Sequence, residues 1–236
     1  MSVFQHLKEE AWEANMELSK SGVIIMTFGN ASALDRERGV FAIKPSGVPY
    51  PDLKPEHMVV VDLQSEIVEG HLNPSSDTKT HAVLYRNLLS VGGVVHTHST
   101  YATAWAQASR PIPIYGTTHA DQLAVDIPCT ALIADTGLEH YEEETGKQIV
   151  ETLKGFNPDE VQMMLVAGHG PFTWGQNAAE AVHHAVILEE LAKMACLTEQ
   201  LHPGCPRLKK SIVDKHYFRK HGKQAYYGQN RTDFKK

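Results

Sequence analysis

Cysteine is scarce in this 236-residue chain: Cys129, Cys196 and Cys205 are an odd number without C-x-x-C spacing, and a chain in a reducing cytosol need not pair them. An excess of positive charge is also missing. The formal net charge is −6 and the sequence pI is near 6.1, which gives no general attraction for nucleic acid or an anionic membrane, although a local basic pocket can still hold a phosphate. No uninterrupted apolar run is long enough to span a bilayer, and Met1–His6 lacks a basic region followed by an apolar one, so the expected location is cytoplasmic. Linker composition, internal repeats and low-complexity segments are absent up to the polar end. The expected organisation is a single domain over 1–229 with a polar tail over 230–236.

What is present is ordinary globular material, 42% hydrophobic and 21% charged, enough for a sizeable core. Phe4, Leu7, Ala11, Ala14 and Leu18 repeat at helical spacing up to Gly22. Short β-like runs follow at Val23–Thr27, Gly39–Ile43, Met58–Val61 and Ile67–Val68, separated by Gly/Pro/Asp turns. Helical patterns cover about Thr78–Leu89, Tyr101–Ala108 and Tyr141–Phe156, and Ala178–Leu201 reads as a long helix behind an Asn177 cap. Helices layered on a mixed sheet are the expected architecture.

The chemistry gathers where apolar runs end. His96-Thr97-His98 closes Gly92-Gly93-Val94-Val95, and side chains two apart on an extended strand point the same way, so both imidazoles can meet one ion. Alone, the pair is as well read as two strand histidines that bind nothing. Its company favours a metal: His169 sits where Leu165-Val166-Ala167 breaks into Gly168-His169-Gly170-Pro171, and Asp77 precedes the helical pattern at Thr78. Three imidazoles and a carboxylate suit Zn²⁺ and accept Mn²⁺, Co²⁺ or Fe²⁺.

Gly29-Asn30, Ser46-Gly47 and Ser75-Ser76 combine small residues with hydroxyl, amide or backbone donors, as phosphate-binding loops do, and Lys44 adds a charge. Ser75-Ser76 has the best claim because the start of a helix favours an anion. A helix cap and two ordinary turns are the plainer account of each loop taken singly. Beside a metal ligand at Asp77, they become one anion site next to one metal site.

These motifs in order, with Ile43–Val48, Gly116-Thr117-Thr118-His119-Ala120-Asp121, Ile127–Thr130 and the stretch from Lys215-His216-Tyr217 to Ala225-Tyr226-Tyr227-Gly228-Gln229, resemble the L-ribulose-5-phosphate 4-epimerases of the class II aldolase/adducin superfamily. The resemblance implies a three-layer α/β/α sandwich with a mainly antiparallel central sheet, built into a homotetramer with active sites at subunit boundaries. It implies metal ligation by His96, His98 and His169, with Asp77 as a fourth or nearby carboxylate, and substrate and phosphate binding by Gly29, Asn30, Ser46, Gly47, Ser75 and Ser76. It also implies that Asp121 and Tyr227 form an acid/base pair reaching the metal site of the adjacent subunit, with His216 orienting or contacting substrate. Chemistry alone does not single out Asp121 from Asp126 or Asp135. The implied reaction is epimerisation at C4 of a phosphorylated ketopentose by cleavage and re-formation of C3–C4. The alternatives are a class II aldolase acting on a deoxyketose 1-phosphate and a non-catalytic adducin-like interaction domain; intact histidines weigh against the second and Asp77, where such aldolases carry Glu, against the first. Two departures stand out: Gln122-Leu123 replaces a usual aromatic pair, and Phe28 stands where Trp is common.

Overall fold

Strands β2 (Val40–Ile43) and β3 (Val59–Asp62) show in a few residues how the chain sorts its apolar side chains. Val40, Ala42 and Val60 face one core, while Phe41, Ile43, Val59 and Val61 face another. A strand alternates its side chains, so a sheet apolar on both faces must be covered on both. The computed structural model describes residues 2–221 and 225–226, and in it both covers are helical. On the first face lies α1 (Gln5–Lys20), with Leu7, Ala11, Ala14 and Leu18 buried against Ala31, Ala33 and Val95 of the sheet. On the second lie α2 (Thr78–Asn87), α3 (Thr100–Gln107) and α5 (Tyr141–Leu153). The long α6 (Ala178–Leu201) gives Ala178, Ala181, Val182 and Ala185 to the first core and Leu188, Leu191, Ala192 and Ala195 to the second.

Seven strands stand in the order β4-β3-β2-β1-β5-β7-β6, with β1 at Asn30–Asp35, β4 at Ile67–Glu69, β5 at Gly93–His96, β6 at Met163–Val166 and β7 at Gly170–Gly175. Every ladder is antiparallel, which corrects the mixed sheet expected from the run of elements and agrees with the resemblance. The short α4 (Thr117–Ala120) and α7 (Lys210–Lys220) pack together at the periphery. Among the described residues no helix is long and apolar enough to cross a membrane.

The expected strand at Val23–Thr27 is instead a turn. Phe28 N–H donates to Ile25 O at 2.9 Å, and Met26 is forced to φ 54, so the extended run breaks before β1 begins. Asn177 caps α6 as expected, accepting from Glu180 N–H at 2.9 Å. Gly93 lets that helix approach: a Cβ there would lie 2.4 Å from the Ala178 backbone.

Two details open the sheet at its functional end. The β1–β2 ladder stops at Ser32↔Ile43. Beyond it the fully buried Asn15 of α1 takes the partner's place, its Nδ2 donating to Ala31 O at 2.8 Å and its Oδ1 accepting from Ala31 N–H at 2.9 Å. The departing chain pairs with the segment before α2 through Ser46 N–H to Asn73 O at 2.9 Å and Ser75 N–H to Lys44 O at 3.0 Å.

Candidate active site

His96 ends the central strand β5, opposite Asn30 on one side and Phe172 on the other. Its Nδ1–H donates to Pro171 O at 3.0 Å, and its ring stacks on Phe172 at 4.3 Å between centroids. That bond puts the proton on Nδ1 and turns the Nε2 lone pair towards His98 Nε2, 3.1 Å away. His169 enters from the turn joining β6 to β7, and the ligand atoms of the three histidines lie within 4.8 Å of one another. His169 Nδ1 is buried without a hydrogen-bond partner. Burial, then the neighbouring His96 and His98, push His169 down to about 3, and burial and His96 lower His98. Three imidazoles whose ring nitrogens crowd together fit a divalent transition metal, which takes deprotonated donors at this spacing.

Asp77 is the N-cap residue of α2 but makes no capping bond with its side chain. Its Oδ2 instead accepts from Asn30 Nδ2 at 2.7 Å, and Asn30 Nδ2 also lies 3.1 Å from Ser75 Oγ. Burial opposes the Asp77 charge, but the imidazoles of His96, His81 and His169 and the Asn30 amide outweigh it and hold the carboxyl below its ordinary value. It stands beside the imidazole trio rather than within it.

One cavity of about 310 Å³ gathers every expected ligand and loop: Gly29, Asn30, Ser46, Gly47, Ser75, Ser76, Asp77, His96, His98 and His169 line it. Ser46 and Ser75 spend their backbone N–H groups on knitting the two loops together, which leaves the N–H of Gly47 and Ser76 unpartnered among the described residues. Lys44 is buried in the same wall, 4.9 Å above the Tyr50 ring, and burial brings its ammonium down to about 8. Sequence reasoning did not find the Pro171 carbonyl and the Phe172 ring that orient His96, because a carbonyl carries no residue signal and Phe172 reads as core.

Among the described residues lining this cavity Asp121 is absent. Asp121 caps the end of α4, where Arg219 of α7 holds its carboxylate at 2.8 and 2.9 Å, His216 Nδ1 approaches at 3.0 Å and Lys220 Nζ at 3.4 Å. Burial pushes Asp121 up, but Arg219, His216 and Lys220 overcome this and lower it. Tyr227 lies outside the described residues.

A sequence model of the class II aldolase and adducin N-terminal domain matches residues 9–196, most of the chain. The chain belongs to the class II aldolase/adducin family. The L-ribulose-5-phosphate 4-epimerases UlaF of Salmonella paratyphi A and Salmonella typhi are each 50% identical to it over 226 residues, 95% of this chain and 99% of the relative. Among solved structures, an L-fuculose 1-phosphate aldolase is 25% identical with a TM-score of 0.77, covering 93% of this chain and 97% of the other. A putative aldolase/epimerase/decarboxylase, YgbL of Klebsiella pneumoniae, is 25% identical with a TM-score of 0.71, covering 91% and 99%. The family's His-triad site is thus intact in this member.

Proposed function

We propose that the protein is an L-ribulose-5-phosphate 4-epimerase, converting L-ribulose 5-phosphate to D-xylulose 5-phosphate. The observation that carries this reading is the half-identity to UlaF along almost the whole of both chains, combined with a cavity that joins the histidine trio to two small-residue loops. The C4 hydrogen of the ketose is not acidic, because C4 is β to the carbonyl. Inversion therefore goes through cleavage and re-formation of C3–C4. A divalent ion, Zn²⁺ from the donor set, would be held by His96, His98 and His169 and supplies Lewis acidity towards the ketose oxygens.

The chain's own groups do the rest. Gly47 and Ser76 N–H, the Ser46 and Ser75 hydroxyls and the Lys44 ammonium anchor the phosphate, so the severed aldehyde turns about a fixed point. Asn30 orients Asp77 beside the trio. One acid/base group takes the C4 hydroxyl proton and another, on the opposite face, returns one; Asp121 and Tyr227 of an adjacent subunit in a homotetramer fill these roles. Incubation of the metal-loaded protein with L-ribulose 5-phosphate should yield D-xylulose 5-phosphate. Cleavage of L-fuculose 1-phosphate with no epimerisation would favour the aldolase reading instead.

Two further results are expected from the anchor. Ser75→Ala should raise KM with kcat nearly unchanged, by the loss of about 1–3 kcal/mol that a hydrogen bond to a charged group supplies. An unmoved KM would reduce the Ser75 loop to a helix start. Lys44, lowered to about 8 in the free protein, carries its charge fully below that pH and loses it above. KM for the phosphorylated ketose should therefore climb as pH passes 8, and Lys44→Met should show a high KM without that rise.

A further inference from the structure

Phe28 is the one large apolar side chain among the described residues lining a cavity otherwise made of histidine, serine, glycine, amide and charge, with Thr27 and Pro45. It is 52% exposed, and its ring lies 5.8 Å from that of His98, tilted by 51°. Its neighbours in the turn, Ile25 and Met26, are exposed as well, and Met26 holds the left-handed φ of 54 that an unbranched side chain tolerates at a cost. The chain thus bears exposure and strain together at the mouth of its site.

The position of that ring is closely set. Immediately after it, Gly29 presses on the backbone of the metal-ligand strand: a Cβ there would stand 3.0 Å from His96 O and 2.6 Å from Ile24 Cδ1. Tyr50 OH donates to Gly29 O at 2.9 Å, and Asn30 is in register with His96. Phe28 is therefore referenced to the same backbone as His96 and His98, while its ring hangs over open cavity.

Resting on the epimerase reading above, the geometry points to Phe28 as the wall that retains the severed two-carbon fragment between cleavage and re-addition, and that keeps water from its aldehyde. In the cleavage, the C4 hydroxyl gives its proton to a base and its O–H pair becomes the new C4=O bond. The C3–C4 pair leaves with C3 and delocalises onto the C2 oxygen. Glycolaldehyde phosphate must then rotate and present its other face before that pair returns to C4. Two losses compete. Water adding to the aldehyde gives a gem-diol that cannot accept the pair, and escape lets C3 take a proton, so that dihydroxyacetone and glycolaldehyde phosphate depart, C5 becoming C3 plus C2. A polar side chain at position 28 would admit water at this point, whereas a benzene ring beside His98 excludes it and offers the rotating fragment no hydrogen bond to be trapped by.

The test compares wild type, Phe28→Ala, Phe28→Leu and Phe28→Trp, metal-loaded, on L-ribulose 5-phosphate, with D-xylulose 5-phosphate, dihydroxyacetone and glycolaldehyde phosphate each quantified. Metal content and the calorimetric affinity for inorganic phosphate are measured alongside and should not change. Wild type should release almost no fragments. Phe28→Ala should raise the fraction of turnovers ending in fragments by roughly tenfold or more, Phe28→Leu by less, and Phe28→Trp should stay near wild type. If Phe28→Ala does not fold, the Leu variant carries the comparison. Folded Ala or Leu variants that epimerise more slowly, or equally well, without extra fragments overturn the inference while the epimerase reading stands. A wild type inert towards L-ribulose 5-phosphate overturns that reading, and the retention role with it.

Discussion

His96→Asn and His169→Asn are expected to empty the metal site and to lower kcat/KM by about 10³-fold or more, the several kcal/mol that a Lewis acid supplies at a ketose. Neither histidine has a substitute. His96 is aimed by Pro171 O and stacked on Phe172, so no neighbouring imidazole can take its position, and His169 comes from a separate turn. His169 touches no ladder hydrogen bond through its side chain, so its variant should keep the native circular dichroism and melt within a few degrees of wild type. Elemental analysis reads the outcome directly. Full occupancy with wild-type turnover in either variant would remove the trio from the chemistry.

The second large effect is expected at the proposed acid/base pair. Asp121→Asn and Tyr227→Phe should each reduce kcat by roughly 10²–10⁴-fold with metal content intact, the scale of a positioned proton-transfer group. Asp121 stands at α4 and is not among the described residues lining the cavity, so the proposed role places it at the cavity of a neighbouring subunit. Mixing inactive Tyr227→Phe chains with inactive His96→Asn chains should therefore restore activity, since some hybrid sites combine an intact trio with an intact tyrosine. Proven subunit exchange without recovery would sink the shared-site arrangement. Asp121 is also gripped by Arg219, His216 and Lys220, so a thermal melt of Asp121→Asn must accompany the kinetics to separate proton transfer from the anchoring of α7.

The histidine trio could be read early because its signal is local and geometric: a period of two at a strand end allowed a metal or none equally, and a histidine between glycines with Asp77 at a helix start tipped the reading towards a metal. Helices α1, α2, α5 and α6 were legible for the same reason, since each repeats its apolar positions over two turns or more. β1 was not. Its Asn-Ala-Ser-Ala core has no β-branched residue, and its place beside the helix-borne Asn15 and between β2 and β5 decides its conformation. The run at Val23–Thr27 looked more like a strand and became a turn, because the backbone at Met26 and Gly29 leaves the extended region. α7 carries only Val213 and Tyr217 inward, too little periodicity to announce a helix. The roles proposed for Asp121 and Tyr227 came from resemblance alone, since neither residue stands in a local pattern that singles it out.

The side chain of Asn15 has an effect well beyond the helix that carries it. By standing in for a strand at Ala31, it lets the sheet fork: one branch runs on to Asn30 and His96, the other peels away as Lys44–Ser46 and joins Asn73–Ser75. The gap between the proposed phosphate loops and the imidazole trio is therefore the opening of that fork, a length built into backbone pairing. On the epimerase reading the cleft is a gauge: a ketose phosphate one carbon shorter or longer should lose kcat/KM against L-ribulose 5-phosphate, because it can seat its phosphate or its carbonyl but not both at once.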